Sequence, residues 1–278
     1  MNDEGLNNVD RRPDTEPETM MTDSATGPHR TDVRPPCQPL GVWATTAYGL
    51  IAIVAWFAAQ LLSAFVVLSF LAAGRDAADA GLQTLASHAV TIAVATIVSM
   101  PAPIAVIAIA ARRAGCAAVD YLALYRPKRA DLIVGMLMIA VLLPLGDLSS
   151  WLTGRELVPP AVVDAYKTAR SSGTLVLLAI ALVVAAPLME ELLFRGFLFP
   201  GYAASRLGPW GAIVLTSAGW SVMHVQYEAF YLVHIFVLGC AFGWLRWRSG
   251  STLLTVILHA IVNAVALVQV AFLVERAG

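Results

Sequence analysis

Residues 174–195 read TLVLLAIALVVAAPLMEELLFR. From Leu175 to Met189 no side chain ionises, and then Glu190, Glu191 and Arg195 follow within six positions. A helix needs roughly 20 apolar residues to cross the hydrocarbon of a bilayer. This stretch reaches that length only by carrying its charges into the membrane, and it sets the terms for the rest of the chain. Similar apolar runs fall at about 41–73, 88–111, 132–151, 211–224, 230–247 and 252–274, the run at 211–224 being short by that measure. Backbone groups in lipid must bond internally, and nothing alternates as a barrel strand would, so each run is expected to be a helix. The expected fold is an all-α, polytopic transmembrane helix bundle of about seven spans.

Composition agrees. Of 278 residues, 58% are hydrophobic and 13% charged, against roughly 25% charge in a soluble domain. There is too little polar sequence to coat a water-soluble core of this apolar content. The net charge of −1 gives no electrostatic footprint for nucleic acid. Residues 1–39 differ in kind: rich in Asp, Glu, Arg, Pro and Thr, they are expected to be a disordered polar tail. They lack the basic-then-apolar layout of a cleaved signal, so the first span is expected to stay in the bilayer, and Met20 or Met21 are alternative starts. The chain thus divides into a tail at 1–39, N-terminal helices at 40–173 and a polar-motif-bearing core at 174–274. Cys37, Cys116 and Cys240 lie far apart without ligand spacing, and no disulfide or zinc motif is read from them.

The segment 112–129 holds Arg112, Arg113, Arg126, Lys128 and Arg129, whereas 74–87 holds only Arg75. The positive-inside rule places the N-terminus and the 112–129 loop in the cytoplasm, with Arg246 and Arg248 on the same side. The loop 152–173, with Arg155, Lys167 and Arg170, falls outside and disagrees mildly. Gly239 and Gly243 form a small-xxx-small pair, read as close helix packing in preference to a dimer face.

Ionisable groups inside apolar helices are expensive, which makes each a functional suspect. Glu191 and Arg195 are i, i+4 neighbours and suit an internal ion pair. Glu190 points about 100° away, without that partner, and an incompletely neutralised carboxylate in apolar surroundings makes a general base. The alternative is a helix end whose charges snorkel to water. His224, four residues after Trp220, closes one apolar run; His259 and Asn263 share one face of the last. His234, His88 and Glu228 are read as structural hydrogen-bonding or span-end groups, and Asp147 as either a cavity-lining or a helix-end acid.

The set Glu190/Glu191/Arg195, Trp220/His224 and His259/Asn263 resembles the signature of the CPBP family, the CAAX prenyl proteases and bacteriocin-processing enzymes also called Abi. That signature is Glu-Glu-x-x-x-Arg, aromatic-x-x-x-His and His-x-x-x-Asn, and the resemblance covers roughly 174–273. Trp220 stands where the family more often has Phe, a mild change because either supplies an aromatic wall.

The resemblance implies hydrolysis of a peptide bond near the membrane surface, in a membrane-associated protein or peptide. It gives Glu190 and His224 the water, His259 and Asn263 the oxyanion, and Glu191–Arg195 the support of the helix. Zinc on Glu190, His224 and His259 is kept as an alternative to metal-free water activation. A common depth for these groups requires the fourth helix to run on past Arg195 towards Arg206, bending at Pro200–Gly201, around a cavity open to the cytoplasm. Two rivals remain: a catalytically idle scaffold or partner-binding protein, and a proton-coupled transporter, whose repeated halves are not seen here.

Overall fold

The computed structural model describes residues 37–72 and 80–277, with side chains for 37–70 and 89–276. The expected polar tail therefore lies outside the described residues, apart from its last three positions, as does the side chain of His88. The described chain from Cys37 onward forms one compact unit.

Among the described residues six helical stretches are long and apolar enough to cross a membrane. The first is α1 (Val42–Ala72); the second joins α2 (Ala80–Ser99) to α3 (Pro101–Arg113) across Met100. Pro101 cannot donate to the preceding turn, so the ladder breaks there and restarts with proline in the first helical turn. A short α4 (Ala118–Tyr121) leads to α5 (Arg129–Leu152), and the amphipathic α6 (Pro160–Ser171) follows, burying Ala165, Tyr166 and Ala169. The fourth span, Leu175–Ala203, is continuous. It consists of α7 (Leu175–Ala179), α8 (Ala186–Glu191) and α9 (Phe199–Ala203), joined by π-helical segments Ile180–Ala185 and Leu192–Leu198. Then come α10 (Gly208–Val222), α11 (Ala229–Ser249) and α12 (Thr252–Ala277). Helix α10 has 15 residues, about 22 Å of rise against a hydrocarbon core of about 30 Å, which is why it falls below the length of a full span.

The required extension of the fourth helix past Arg195 is present, and it carries the π segment in place of a simple bend at Pro200. A π turn widens the helix and leaves carbonyls outside the regular ladder. Two of them bind other helices: Leu182 O accepts from Asn263 Nδ2 on α12 at 2.7 Å, and Arg195 O from Arg246 Nε on α11 at 3.1 Å. The buried Arg246 also donates to Thr252 Oγ1 at 3.0 Å, so it acts as an internal staple and not as a loop cation.

Two ends of the bundle are distinguishable by their contacts. At one end Leu40 N donates to Tyr121 Oη, Ser251 Oγ to Tyr125 O, and Thr252 N to Ala123 O. At the other, Arg155 pairs with Glu228, Tyr231 Oη donates to Glu156 O, and Arg170 pairs with Glu275. We call these the Cys37 face and the Glu275 face.

One sequence expectation needs correction. Cys37 and Cys116 are bonded as a disulfide, 79 positions apart, with Cα atoms 5.4 Å apart. Linear spacing carries no trace of the pairing, because the return of the second span brings Cys116 beside the start of the first. Gly239 and Gly243 behave as expected: both face α10, where an added Cβ would lie 2.9 Å from Ser217 Cβ and 3.2 Å from Ile213 Cγ1 respectively.

Candidate active site

Glu190 and Glu191 end α8, and Arg195 lies in the π-helical segment that follows it. Glu191 and Arg195 are both fully buried, with Arg195 Nη1 donating to Glu191 Oε1 at 2.7 Å. Arg195 Nη2 donates to Gly239 O at 3.1 Å, and its guanidinium lies 4.6 Å from the Trp220 ring centroid. Glu191 Oε1 is shared, since His259 Nδ1 approaches it at 3.0 Å. The pair assigned to hold the helix therefore extends to a third member on α12.

Glu190, one residue earlier, faces elsewhere. Its Oε2 accepts from Trp220 Nε1 at 2.5 Å and lies 4.0 Å from His259 Nε2. The aromatic four positions before His224 is thus a donor to the carboxylate as well as a wall, and the replacement of Phe by Trp changes more than ring size. His224 Nδ1 lies 3.0 Å from Trp220 O. A carbonyl can only accept, so Nδ1 carries a proton and Nε2 is the nitrogen left for other partners. The same logic applies to His259: Nδ1 donates to the Glu191 carboxylate, leaving Nε2 on the Glu190 side.

Glu190, Trp220, His224, His259 and Asn263 all line one cavity of about 270 Å³. Asn263 does not bond His259, its neighbour one turn back; one amide hydrogen goes to Leu182 O and the other is left for the cavity. Sequence reasoning missed three further lining residues. Tyr227 stands three positions after His224, its ring 5.8 Å from that imidazole, and burial pushes its phenol up, keeping it a protonated donor. Tyr231 anchors the 153–159 segment through Glu156 O. His234, correctly read as hydrogen-bonded, takes Ser149 Oγ at 2.7 Å and Phe230 O at 2.8 Å, yet it lines the cavity too. A polar or aromatic residue at i+3 from a motif histidine was the available signal for Tyr227 alone.

The outer wall is Val158, Pro159 and Tyr227, so the cavity leads to the Glu275 face. Cys37 lies at the opposite end, so an N-terminus in the cytoplasm and a cavity open to the cytoplasm are alternatives. A second, mainly apolar cavity of about 360 Å³ between α5, α11 and α12 adjoins the first, sharing Val158, Tyr231, His234 and Ala266. Asp147 lines it and accepts from Gln269 at 2.8 Å, while Glu228 pairs with Arg155 at the span end as expected.

Among the described residues no three His, Cys, Asp or Glu side chains form a ready-made ligand set, Glu190 and His259 being 4.0 Å apart at their nearest polar atoms.

Residues 172–265 match the family model described as type II CAAX prenyl endopeptidase, Rce1-like. No curated protein matches the chain, and no solved structure does. The matched segment contains all seven motif residues, from Glu190 to Asn263, and the helices that bring them round one cavity. That segment is similar to the type II CAAX prenyl endopeptidases, the family whose signature the seven residues resemble.

Proposed function

We propose that this protein is an intramembrane endopeptidase in which Glu190 and His224 activate water and His259 with Asn263 holds the oxyanion. One observation carries the reading: five polar or aromatic motif residues from three separate helices line a single cavity inside an otherwise apolar bundle. Glu190 uses one carboxylate oxygen for Trp220 and keeps the other for water. His224, its Nδ1 held by its own helix, offers Nε2 to the same water. The water's proton passes to Glu190, its oxygen bonds the scissile carbonyl carbon, and the tetrahedral oxyanion forms. Glu190 then returns the proton to the departing amine as the C–N bond breaks.

The oxyanion site imposes a condition. His259 Nδ1–H is committed to Glu191, so Nε2 donates only when the ring carries its second proton. The step then needs Glu190 free to take the water's proton while His259 Nε2 carries one. The second amide hydrogen of Asn263 supplies the other donor. No step is routed through a metal.

The substrate is a membrane-associated protein. The apolar second cavity suits a hydrocarbon chain or an apolar peptide segment arriving from the bilayer beside the catalytic cavity. We place the Cys37 face in the cytoplasm on its excess of cations, Arg112, Arg113, Arg126, Lys128 and Arg129. The test compares membrane-protein fragments from cells carrying wild-type enzyme with those from cells carrying Glu190→Ala. New C-termini present only with the wild type are expected; identical fragment sets would remove the protease reading in favour of a scaffold.

A further inference from the structure

Trp220 lies at the centre of the site. Its ring meets His224 edge-on at 5.6 Å and His259 edge-on at 5.1 Å, with the Arg195 guanidinium over its face. Packing of that kind needs only an aromatic ring. The indole Nε1–H does something further, donating to Glu190 Oε2 at 2.5 Å across 30 positions of sequence.

From this geometry we propose that Trp220 is a positioning residue for the general base: its Nε1–H fixes the Glu190 carboxylate so that one defined oxygen faces the attacking water. The inference rests on the hydrolase reading above and concerns how its base is held. Three features favour it. Indole N–H is a donor only, so the bond has one direction and no competing tautomer. Glu190 has no arginine of its own, because Arg195 is occupied by Glu191 and Gly239 O. Without the indole, the carboxylate could rotate towards His259 Nε2, 4.0 Å away, and leave the water.

The indole is itself held on several sides. Its Cε3 edge lies 3.1 Å from where a Cβ on Gly239 would stand, so the glycine gives it room. Phe242 lies 6.1 Å from the ring centroid. Trp220 is only 3% exposed, and an ordered donor of this kind fixes an acceptor better than a solvent-exposed one.

The test removes the N–H while keeping the ring. One variant is Trp220→Phe; a second replaces Trp220 by its benzothienyl analogue, which has sulfur in place of the indole N–H and preserves the bicyclic shape. Both are purified, reconstituted in vesicles and assayed on internally quenched peptides ending in Cys-aliphatic-aliphatic-X, farnesylated and unmodified, beside wild type and Glu190→Gln. Loss of one hydrogen bond to a charged group corresponds to about a tenfold fall in kcat, with KM unchanged because the base does not bind substrate. The analogue isolates the N–H if Trp220→Phe misfolds. Wild-type kcat in the analogue, with Glu190→Gln inactive, overturns the positioning role and leaves the protease reading standing. Full activity in Glu190→Gln overturns both. A raised KM with kcat unchanged assigns Trp220 to substrate packing and likewise overturns the proposal.

Discussion

Arg195→Met is the perturbation that most directly probes the buried framework of the site. Methionine roughly preserves the length of the side chain and deletes the guanidinium. What remains is Glu191, with no exposure to solvent, facing His259 and the Thr255 hydroxyl without a cation of its own. Removing one partner of a buried ion pair costs about 3–5 kcal/mol, because the other charge is left uncompensated. The bond to Gly239 O at 3.1 Å adds about 1–3 kcal/mol for a carbonyl left without its donor. A single loss of about 4–8 kcal/mol is therefore expected. Glu191→Gln removes the other charge and should lose a similar amount, while the double variant should fall short of additivity by about 2 kcal/mol, in the range found for contacting pairs. The assay is denaturant-dependent unfolding of detergent-solubilised protein, followed by Trp fluorescence with a gel-filtration check. Additive losses would refute the ion pair. A functional split is also expected: Glu191→Gln should lower turnover of the folded fraction, since it strips the carboxylate from the imidazolium of His259, whereas Arg195→Met should act chiefly on stability.

Other outcomes follow from the same geometry. Asn263→Ala should lower kcat about 10²–10³-fold with KM little changed; an unchanged kcat would remove the second oxyanion donor. Chelator should leave turnover intact and purified protein should contain no stoichiometric metal. One zinc per chain, lost in His259→Ala, would overturn the metal-free mechanism while sparing the protease assignment. Cys37 and Cys116 should be free thiols in acid-quenched intact cells and bond on lysis without a trap, as a cytoplasmic Cys37 face requires. A pair already bonded in cells would put that face outside and turn the cavity towards the cytoplasm.

Much of this architecture is visible in the linear chain because the bilayer leaves few options. Apolar runs such as 132–151 have to be helices, and Glu191 with Arg195 has to pair, since i, i+4 spacing is local and lipid offers no other partner. What could not be read was which faces meet across helices. The bond from Trp220 to Glu190, the sharing of Glu191 by His259, and the departure of Asn263 to Leu182 O all depend on helix order and rotation. Hydropathy, nearly uniform round these helices, does not encode those. The π segments Ile180–Ala185 and Leu192–Leu198 have no periodic signature either, yet they supply the carbonyls that tie α11 and α12 to the fourth span. The end at which the cavity lies is hidden for a related reason: it depends on the loop residues Val158, Pro159 and Tyr227, which carry no hydropathy signal.

The most direct test of the central claim is the turnover of purified, reconstituted Glu190→Gln beside wild type on a peptide the wild type cleaves. Glutamine keeps the size of the side chain and can still accept from Trp220 Nε1, so the site should remain assembled. The base alone is lost, and kcat should fall by about 10²-fold or more. Wild-type turnover in the purified Glu190→Gln protein would contradict the assignment of Glu190 as the group that activates water.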